Sequence, residues 1–298
     1  MKKLGLATAL LLAMTGAQAY QFEIQGQAEH IDNTANDQEF TGAVQGTYYF
    51  NNVDSSKGPL EEAAFINQAS NVSAAYSYGE TKDEGSRDVV HVYGVKGEAY
   101  IPTKVVPVYA SASYNHTIVD NKSGFADDNG DRYALEVGAV LVPNFLVAVG
   151  YTSVADQASL DAFNIVSNGV AKAALEAQTI GDKKDAITAR TKYVGAIDGT
   201  NMSLGFESGL VYGEDTAYNL GTTLYLNPKL SVGVSYLESS FAGSPDKAFG
   251  ANVNYFITPA VSVGASYVNA NYEAKKDVEV DATVLDTQTV GLNAKFRF

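Results

Sequence analysis

Apolar and polar residues alternate at every second position along most of this chain. The stretch "LSVGVSY" puts Leu230 and Val232 on one face and Ser231 and Gly233 on the other. Because successive side chains of a β-strand point to opposite faces, such alternation predicts a strand with one apolar and one polar face. About fourteen segments of this kind follow one another between residues 20 and 298, which predicts an all-β fold.

The chemistry of the two faces favours a membrane barrel over a soluble sandwich. The polar face is built of small residues with a few charges, whereas the apolar face carries Tyr and Phe near the strand ends, as interfacial girdles do. After residue 19 no segment has the roughly 20 consecutive apolar residues of a spanning helix. We therefore predict a monomeric, transmembrane, antiparallel up-and-down β-barrel of about 14 strands. A soluble antiparallel sandwich, which would also alternate, is the alternative.

The first 19 residues predict a signal peptide. Lys2 and Lys3 precede a short apolar run at residues 4–14, and the "AQA" at residues 17–19 has the small-residue pattern of a cleavage site. The apolar run is too short to cross a bilayer as a helix. We expect residues 20–298 to form the exported barrel.

Composition narrows the classes of function. The net charge is -14, or -16 (-14 minus 2) without Lys2 and Lys3, and so acidic a chain argues against nucleic acid as a partner. The chain contains no cysteine and three histidines, and it lacks the common hydrolase, zinc-protease and phosphate-loop motifs. The acidic run "DDNGD" at residues 127–131 lacks the spacing of an EF-hand, so we expect a solvated loop rather than a calcium site. We predict no enzyme activity, no metal and no cofactor.

The connections between the predicted strands alternate in length. Short ones such as "VPNF" and "NPK" contain Pro, which fixes tight turns. Longer ones such as "ETKDEGSRD" at residues 80–88 are acidic. Short periplasmic turns and longer extracellular loops are typical of outer-membrane barrels, and this arrangement places both chain ends on the periplasmic side.

Charged residues on the polar face of the predicted strands should line the lumen. Acidic and basic residues are nearly balanced there, so most of the acidity lies in the loops and we expect no strong ion selectivity. The predicted lumen residues are Glu23, Glu29, Lys96, Glu98, Arg132, Glu136, Arg190, Lys192, Glu207, Lys295 and Arg297.

A long first periplasmic turn, residues 52–70, breaks the pattern of short turns. Its Leu60, Phe65 and Ile66 need burial, and the lumen is the nearest surface that can bury them. We expect the turn to fold inward as a plug or gate. A turn lying flat on the rim, or a docking site for a periplasmic partner, is the alternative. The expected contacts are an anchor at Pro59 and contacts of Glu61 or Glu62 with bases of the lumen such as Lys295 or Arg297.

A second long connection, residues 156–185, contains apolar residues at helical spacing, among them Leu160, Phe163 and Val166. We expect its amphipathic part, residues 159–178, to fold against the barrel mouth and narrow it. An exposed loop is the alternative.

Several segments resemble the small monomeric general porins of Gram-negative bacteria, among them "GPLEEAAFINQAS", "VPNFLVAVGYTSVADQASLDAF" and "DTQTVGLNAKFRF". The resemblance extends over the whole chain. It implies a barrel in the outer membrane that passively conducts water and small hydrophilic solutes. It also implies contacts with outer-membrane lipid, lipopolysaccharide and the outer-membrane assembly machinery, which would read the aromatic residues Phe296 and Phe298 at the end of the last strand. A structural or adhesive surface barrel with a closed lumen is the alternative function.

Overall fold

The computed structural model describes residues 19–33, 39–83, 86–121, 128–155, 161–165, 185–240, 245–271 and 286–298. In these ranges the chain forms one closed antiparallel barrel, in which each strand pairs with its neighbours in sequence and the first pairs with the last. The predicted all-β barrel of fourteen strands is confirmed. The strands are β1 (Ala19–Asn33), β2 (Glu39–Asp54), β3 (Asn71–Asp83), β4 (Ser86–Ile101), β5 (Val108–Asn121), β6 (Asp128–Val142), β7 (Phe145–Ala155), β8 (Asp185–Ala196), β9 (Ser203–Tyr212), β10 (Thr216–Asn227), β11 (Leu230–Ser239), β12 (Lys247–Thr258), β13 (Val261–Asn271) and β14 (Thr287–Arg297).

Two short helical segments interrupt this pattern. Between β2 and β3, a 3₁₀ turn (Leu60–Glu62) runs directly into helix α1 (Ala63–Ile66). Helix α2 (Ala162–Ile165) lies between β7 and β8. Within the described ranges, no helix is long and apolar enough to cross a membrane.

Strands β1 and β14 close the barrel. Their register sets Glu23 opposite Arg297, and the backbone N–H of Phe298 donates to the carbonyl of Phe22 at 2.9 Å. The two phenylalanine rings stack on the outer surface with centroids 5.4 Å apart. Closure leaves no unpaired sheet edge, which a spanning sheet in lipid requires. The predicted signal peptide falls almost wholly on residues 1–18, which lie outside the described residues.

The alternation of the sequence becomes the two surfaces of the barrel. On β11 the side chains of Val232 and Val234 are 43% and 55% exposed on the outside, whereas Ser231 is 3% exposed on the inside. A water-facing surface this apolar would be costly, so it marks the surface that lipid covers. Val261 is an exception, because it shares the outward register of Phe296 and yet is buried at the start of β13.

The two ends of the barrel differ. Short turns lie at the end that also holds the β2–β3 connection, and we call this the turn end; the opposite end is the loop end. At the loop end, part of the prediction is wrong. Residues 80–88 were expected to form a loop, but β3 continues to Asp83 and β4 begins at Ser86. Asp128 to Asp131 likewise belong to β6. A strand crosses a bilayer in about 9–11 residues, so a strand of 16 residues such as β4 extends beyond the lipid, where charged side chains are acceptable.

The interior is polar in the middle, and near the loop end one side of it is apolar. Inward-facing residues of β7 to β13 form a buried apolar arc there, which covers about half of the barrel's circumference. The arc consists of Val154, Ala186, Val211, Ala217, Leu237, Ala248, Val268 and Ala270.

Candidate functional site

The polar lumen contains a cavity of about 450 Å³. Eight of the eleven charged residues that the sequence assigns to the lumen line this cavity. The other three, Glu23, Glu29 and Arg297, are buried on the inner face of the barrel outside it. The eight are Lys96, Glu98, Arg132, Glu136, Arg190, Lys192, Glu207 and Lys295.

Charged residues of the cavity wall pair with one another. The Nε of Arg190 lies 2.6 Å from Oε1 of Glu136, and the Nζ of Lys96 lies 3.0 Å from Oε1 of Glu98. The hydroxyl of Tyr109 also donates to Glu98, at 2.7 Å. Opposite charges this close cancel much of each other's field at the distance of a passing solute, so these pairs give the wall little net attraction for either sign of ion.

At the turn end, Arg297 joins the two closing strands to the β2–β3 connection. Its Nε donates to Glu23 at 2.7 Å and its Nη1 donates to the backbone carbonyl of Leu60, also at 2.7 Å. The guanidinium lies over the rings of Tyr20 and Phe256, 4.6 and 4.7 Å from their centroids. A planar group with five donors and two stacking faces can make all these contacts at once, which a lysine could not do.

The β2–β3 connection, residues 55–70, lies inside the lumen. The backbone N–H of Leu60 donates to the carbonyl of Pro228 in the β10–β11 turn, at 2.8 Å. The side chains of Leu60 and Ala63 are almost completely buried. Phe65 packs against an apolar cluster on the inner face of β5 to β7. That cluster consists of Tyr109, Val140, Leu146 and Ala148.

The shape of the connection is fixed by its own polar contacts. The side-chain amide of Asn67 donates to the carbonyls of Asp54 and Ala63, at 2.8 and 2.7 Å, which ties the short helix to the end of β2. Gln68 then takes a left-handed conformation, with φ 49°, and the chain turns into β3. Ile66 is half-buried and sits close to Gly58, where an added Cβ would come within 2.9 Å of its Cδ1.

The two carboxylates of the connection reach across the lumen. Glu62 forms an ion pair with Lys192 at 2.9 Å and accepts a hydrogen bond from the hydroxyl of Tyr225 at 2.7 Å. Glu61 accepts a hydrogen bond from the hydroxyl of Ser231. Burial raises the pKa of the Glu61 carboxyl, and the charge of Glu62 raises that pKa further, although hydrogen bonds oppose the shift.

The lumen base that Glu62 meets is Lys192 rather than one of the two bases given as examples, Lys295 and Arg297. Both bases are held by Glu23, at 3.4 and 2.7 Å, on the strands that close the barrel. The connection instead spans the lumen, and its Glu62 reaches Lys192 on β8.

Helix α2 packs on the inner wall near β3 and β4. The side-chain amide of Asn115 donates to Asp161 at 3.3 Å, and its oxygen accepts from the N–H of Ala162 at 3.1 Å. Phe163 packs over Gly94, where an added Cβ would lie 2.8 Å from the ring. Residues 161–165 are thus inside the barrel, while the rest of the long connection at 156–185, apart from Asp185, lies outside the described residues.

Both predicted assembly residues lie on the outer face at the turn end. Phe296 is 42% exposed and Phe298 is 46% exposed. Within the part of the chain that the structure describes, no three His, Asp or Glu side chains come close enough to share a metal ion.

Several residues that hold the connection and α2 in place were missed by the sequence analysis. They are Tyr225, Ser231, Asn115 and Gly94, which the alternating pattern does not distinguish from other residues of the strands. The alternation correctly puts them on the inner face, and an inward tyrosine in a lumen of small residues was the one available signal for Tyr225.

A closed barrel with an apolar outer face and a polar, ion-paired lumen defines the class of outer-membrane channels. A family model described as "Putative general bacterial porin" matches residues 1–296, and the chain belongs to this family. The barrel therefore lies in the outer membrane of a Gram-negative bacterium, in contact with membrane lipid and small solutes.

Solved structures agree with this assignment. The outer membrane protein Omp33 of Acinetobacter baumannii is 53% identical, with a TM-score of 0.69 over 94% of this chain and 99% of that chain. The monoaromatic hydrocarbon channel CymD is 11% identical, with a TM-score of 0.56 over 96% and 90% of the two chains. The toluene transporter TodX of Pseudomonas putida is 8% identical, with a TM-score of 0.50 over 94% and 89%. The last two show the shared barrel fold alone. A search of curated proteins found no match.

Proposed function

We propose that this porin is a passive channel for water and small hydrophilic solutes, and that the β2–β3 connection sets its aperture. The observation that carries the proposal is the docking of residues 55–70 in the lumen by reversible contacts. These are the hydrogen bond from Arg297 to Leu60, the ion pair from Lys192 to Glu62 and the apolar packing of Phe65. Such contacts can break and re-form without disturbing the strand ladder, as a gate requires.

Single-channel recording in planar bilayers tests this proposal. Residues 60–66 are replaced by a Gly-Ser segment of equal length, which keeps the chain connected and removes every docking side chain. We expect the conductance to rise while the barrel keeps its heat-modifiable migration in gels. The control is a Gly-Ser replacement of residues 104–105, which lie exposed in the β4–β5 turn at the same end. Unchanged conductance in the first variant contradicts the gate.

A structural or adhesive barrel with a closed lumen is the second candidate. Two features favour it, namely the connection that occupies the turn end and the buried apolar arc of β7 to β13 near the loop end. The same recordings separate the two functions, because a structural barrel would show no conductance steps either with or without residues 60–66.

The orientation and the remaining partners follow from the same proposal. We place the turn end in the periplasm and the loop end at the cell surface, where the outer girdle would contact lipopolysaccharide. We assign recognition by the assembly machinery to Phe296 and Phe298. Phe298→Ser should lower the amount of folded protein in cells but leave refolding into detergent intact; equal losses in both would assign Phe298 to barrel stability instead.

A further inference from the structure

The lumen has two walls of opposite chemistry. Strands β4, β6 and β8 carry most of the charged residues that line the cavity. The four consecutive strands β10 to β13 carry no charge at any inward position that the structure describes. Those positions hold Ala217, Asn219, Gly221, Thr223, Tyr225, Ser231, Gly233, Ser235, Leu237, Ser239, Ala248, Gly250, Asn252, Asn254, Phe256, Ser262, Gly264, Ser266, Val268 and Ala270. We call this surface the neutral wall.

The two walls also differ in what they can offer a solute. The charged residues are largely engaged with one another, as in the pair of Arg190 with Glu136 at 2.6 Å and that of Lys192 with Glu207 at 2.7 Å. Five polar residues of the neutral wall line the cavity, and their side chains have no hydrogen-bond partner among the described residues. They are Asn219, Thr223, Ser235, Asn252 and Ser266.

Two of these five residues are asparagines, and each lies against a glycine of the neighbouring strand. Asn219 lies directly opposite Gly209 on β9, and Asn252 lies opposite Gly233 on β11. A Cβ at Gly209 would come within 2.4 Å of the Asn219 oxygen, and one at Gly233 within 2.1 Å of the Asn252 oxygen. Each glycine therefore leaves the space that the asparagine oxygen of the neighbouring strand occupies, since a larger residue would clash with it.

We propose that the neutral wall is a binding track for small uncharged polar solutes, namely polyols and primary amides. A solute that leaves bulk water must replace its hydrogen bonds, and hydroxyl and amide groups both donate and accept them. An ion gains less here, because the charges on the opposite wall already have partners and the strands of the neutral wall carry no charge of their own. The carboxylates of Glu61 and Glu62, which reach this wall from the connection, are bonded to Ser231 and Tyr225. This inference rests on the proposed function as a solute channel and names the solute class.

Four molecules of nearly equal size test the track: lactamide (neutral), lactate (anion), alaninamide (cation) and alanine (zwitterion). Permeation is measured by liposome swelling, and binding to the detergent-purified protein by ligand-observed NMR. For the wild-type barrel we expect lactamide to permeate faster and to bind more strongly than both lactate and alaninamide. A barrel that prefers either ion over lactamide overturns the proposal.

The variant N219L/N252L removes both amides at nearly constant side-chain volume. Lactamide binding should fall by about two- to tenfold, the loss expected from one or two neutral hydrogen bonds, while ion conductance stays nearly constant. Asn269→Leu, which makes the same change on the outward face of β13, is the matched control. Thr223→Val, an isosteric change on β10, replaces the double variant if the latter does not fold. Unchanged lactamide binding, or an equal loss in the control, overturns the track.

Failure of the track and failure of the channel give different results. If lactamide binds but no solute permeates, the proposed channel fails and the track stands. If all four solutes permeate at equal rates and none binds preferentially, the channel stands and the track fails.

Discussion

The ion pair between Glu62 and Lys192 gives the sharpest test of the gate. Glu62→Gln keeps the size of the side chain and a carbonyl that can accept from Tyr225, but it removes the charge that Lys192 contacts at 2.9 Å. The Glu62 side chain is 8% exposed and that of Lys192 is 20% exposed, so water replaces the lost contact poorly. Lys192 keeps its second partner, Glu207, at 2.7 Å, so its charge is not left unpaired.

The magnitude follows from this geometry. A hydrogen bond to a charged group contributes about 1.5–3 kcal/mol. Because Lys192 stays paired with Glu207, the variant loses this contribution but does not leave an unpaired buried charge, which would cost more. Since about 1.4 kcal/mol is a tenfold change in an equilibrium constant, the ratio of docked to undocked connection should fall about ten- to hundredfold. The measurement is the fraction of time that single channels spend at high conductance, which should increase.

Glu207→Gln is the control, because it removes the same charge from beside the same lysine but does not touch the connection. Both variants change the net charge of the lumen equally, so a pure effect of charge on ion flow would appear in both. If the two variants show the same open fraction, the docking argument is refuted. Heat-modifiable gel migration verifies that each barrel is folded.

Three further predictions concern the wall, the connection and α2. Val234→Arg puts a charge into lipid and should destabilise the barrel by roughly 2–4 kcal/mol in urea titrations. Gly233→Arg puts the charge into the lumen and should instead lower the conductance. The reverse pattern would show that the register is wrong. The pKa of Glu61 is raised in the docked state, so docking gains stability as the pH falls through that raised pKa to the ordinary value of 4.5 and keeps it at lower pH. Acid should therefore close the channel, and Glu61→Gln should abolish that response. Gly94→Ala should displace Phe163 and raise conductance, and an unchanged value would show that α2 does not narrow the lumen.

The strand count and the faces of the strands were predictable from the sequence alone. Alternation has a period of two, so each apolar residue such as Val232 assigns its neighbour Ser231 to the opposite face without any tertiary information. The same reasoning singled out residues 52–70, because Leu60 and Phe65 had no surface other than the lumen to cover them.

Strand ends at the loop end could not be predicted in this way. Polarity marks where a strand leaves the lipid and not where its hydrogen bonds stop, so it predicts a loop at Glu80 and Asp88 although they lie in β3 and β4.

Only the closed barrel decided which inward residues meet. Tyr225 and Glu62 are 163 positions apart, and a contact across the lumen depends on the diameter of the barrel and on the path of the connection. Neither quantity leaves a local pattern in the chain. The pairing of Asn252 with Gly233 likewise depends on the register between β11 and β12, which the sequence of each strand leaves open. The sequence therefore determined which side chains face the lumen, and the closure of the barrel determined the partners they have there, because alternation is a property of each strand and pairing is a property of the whole sheet.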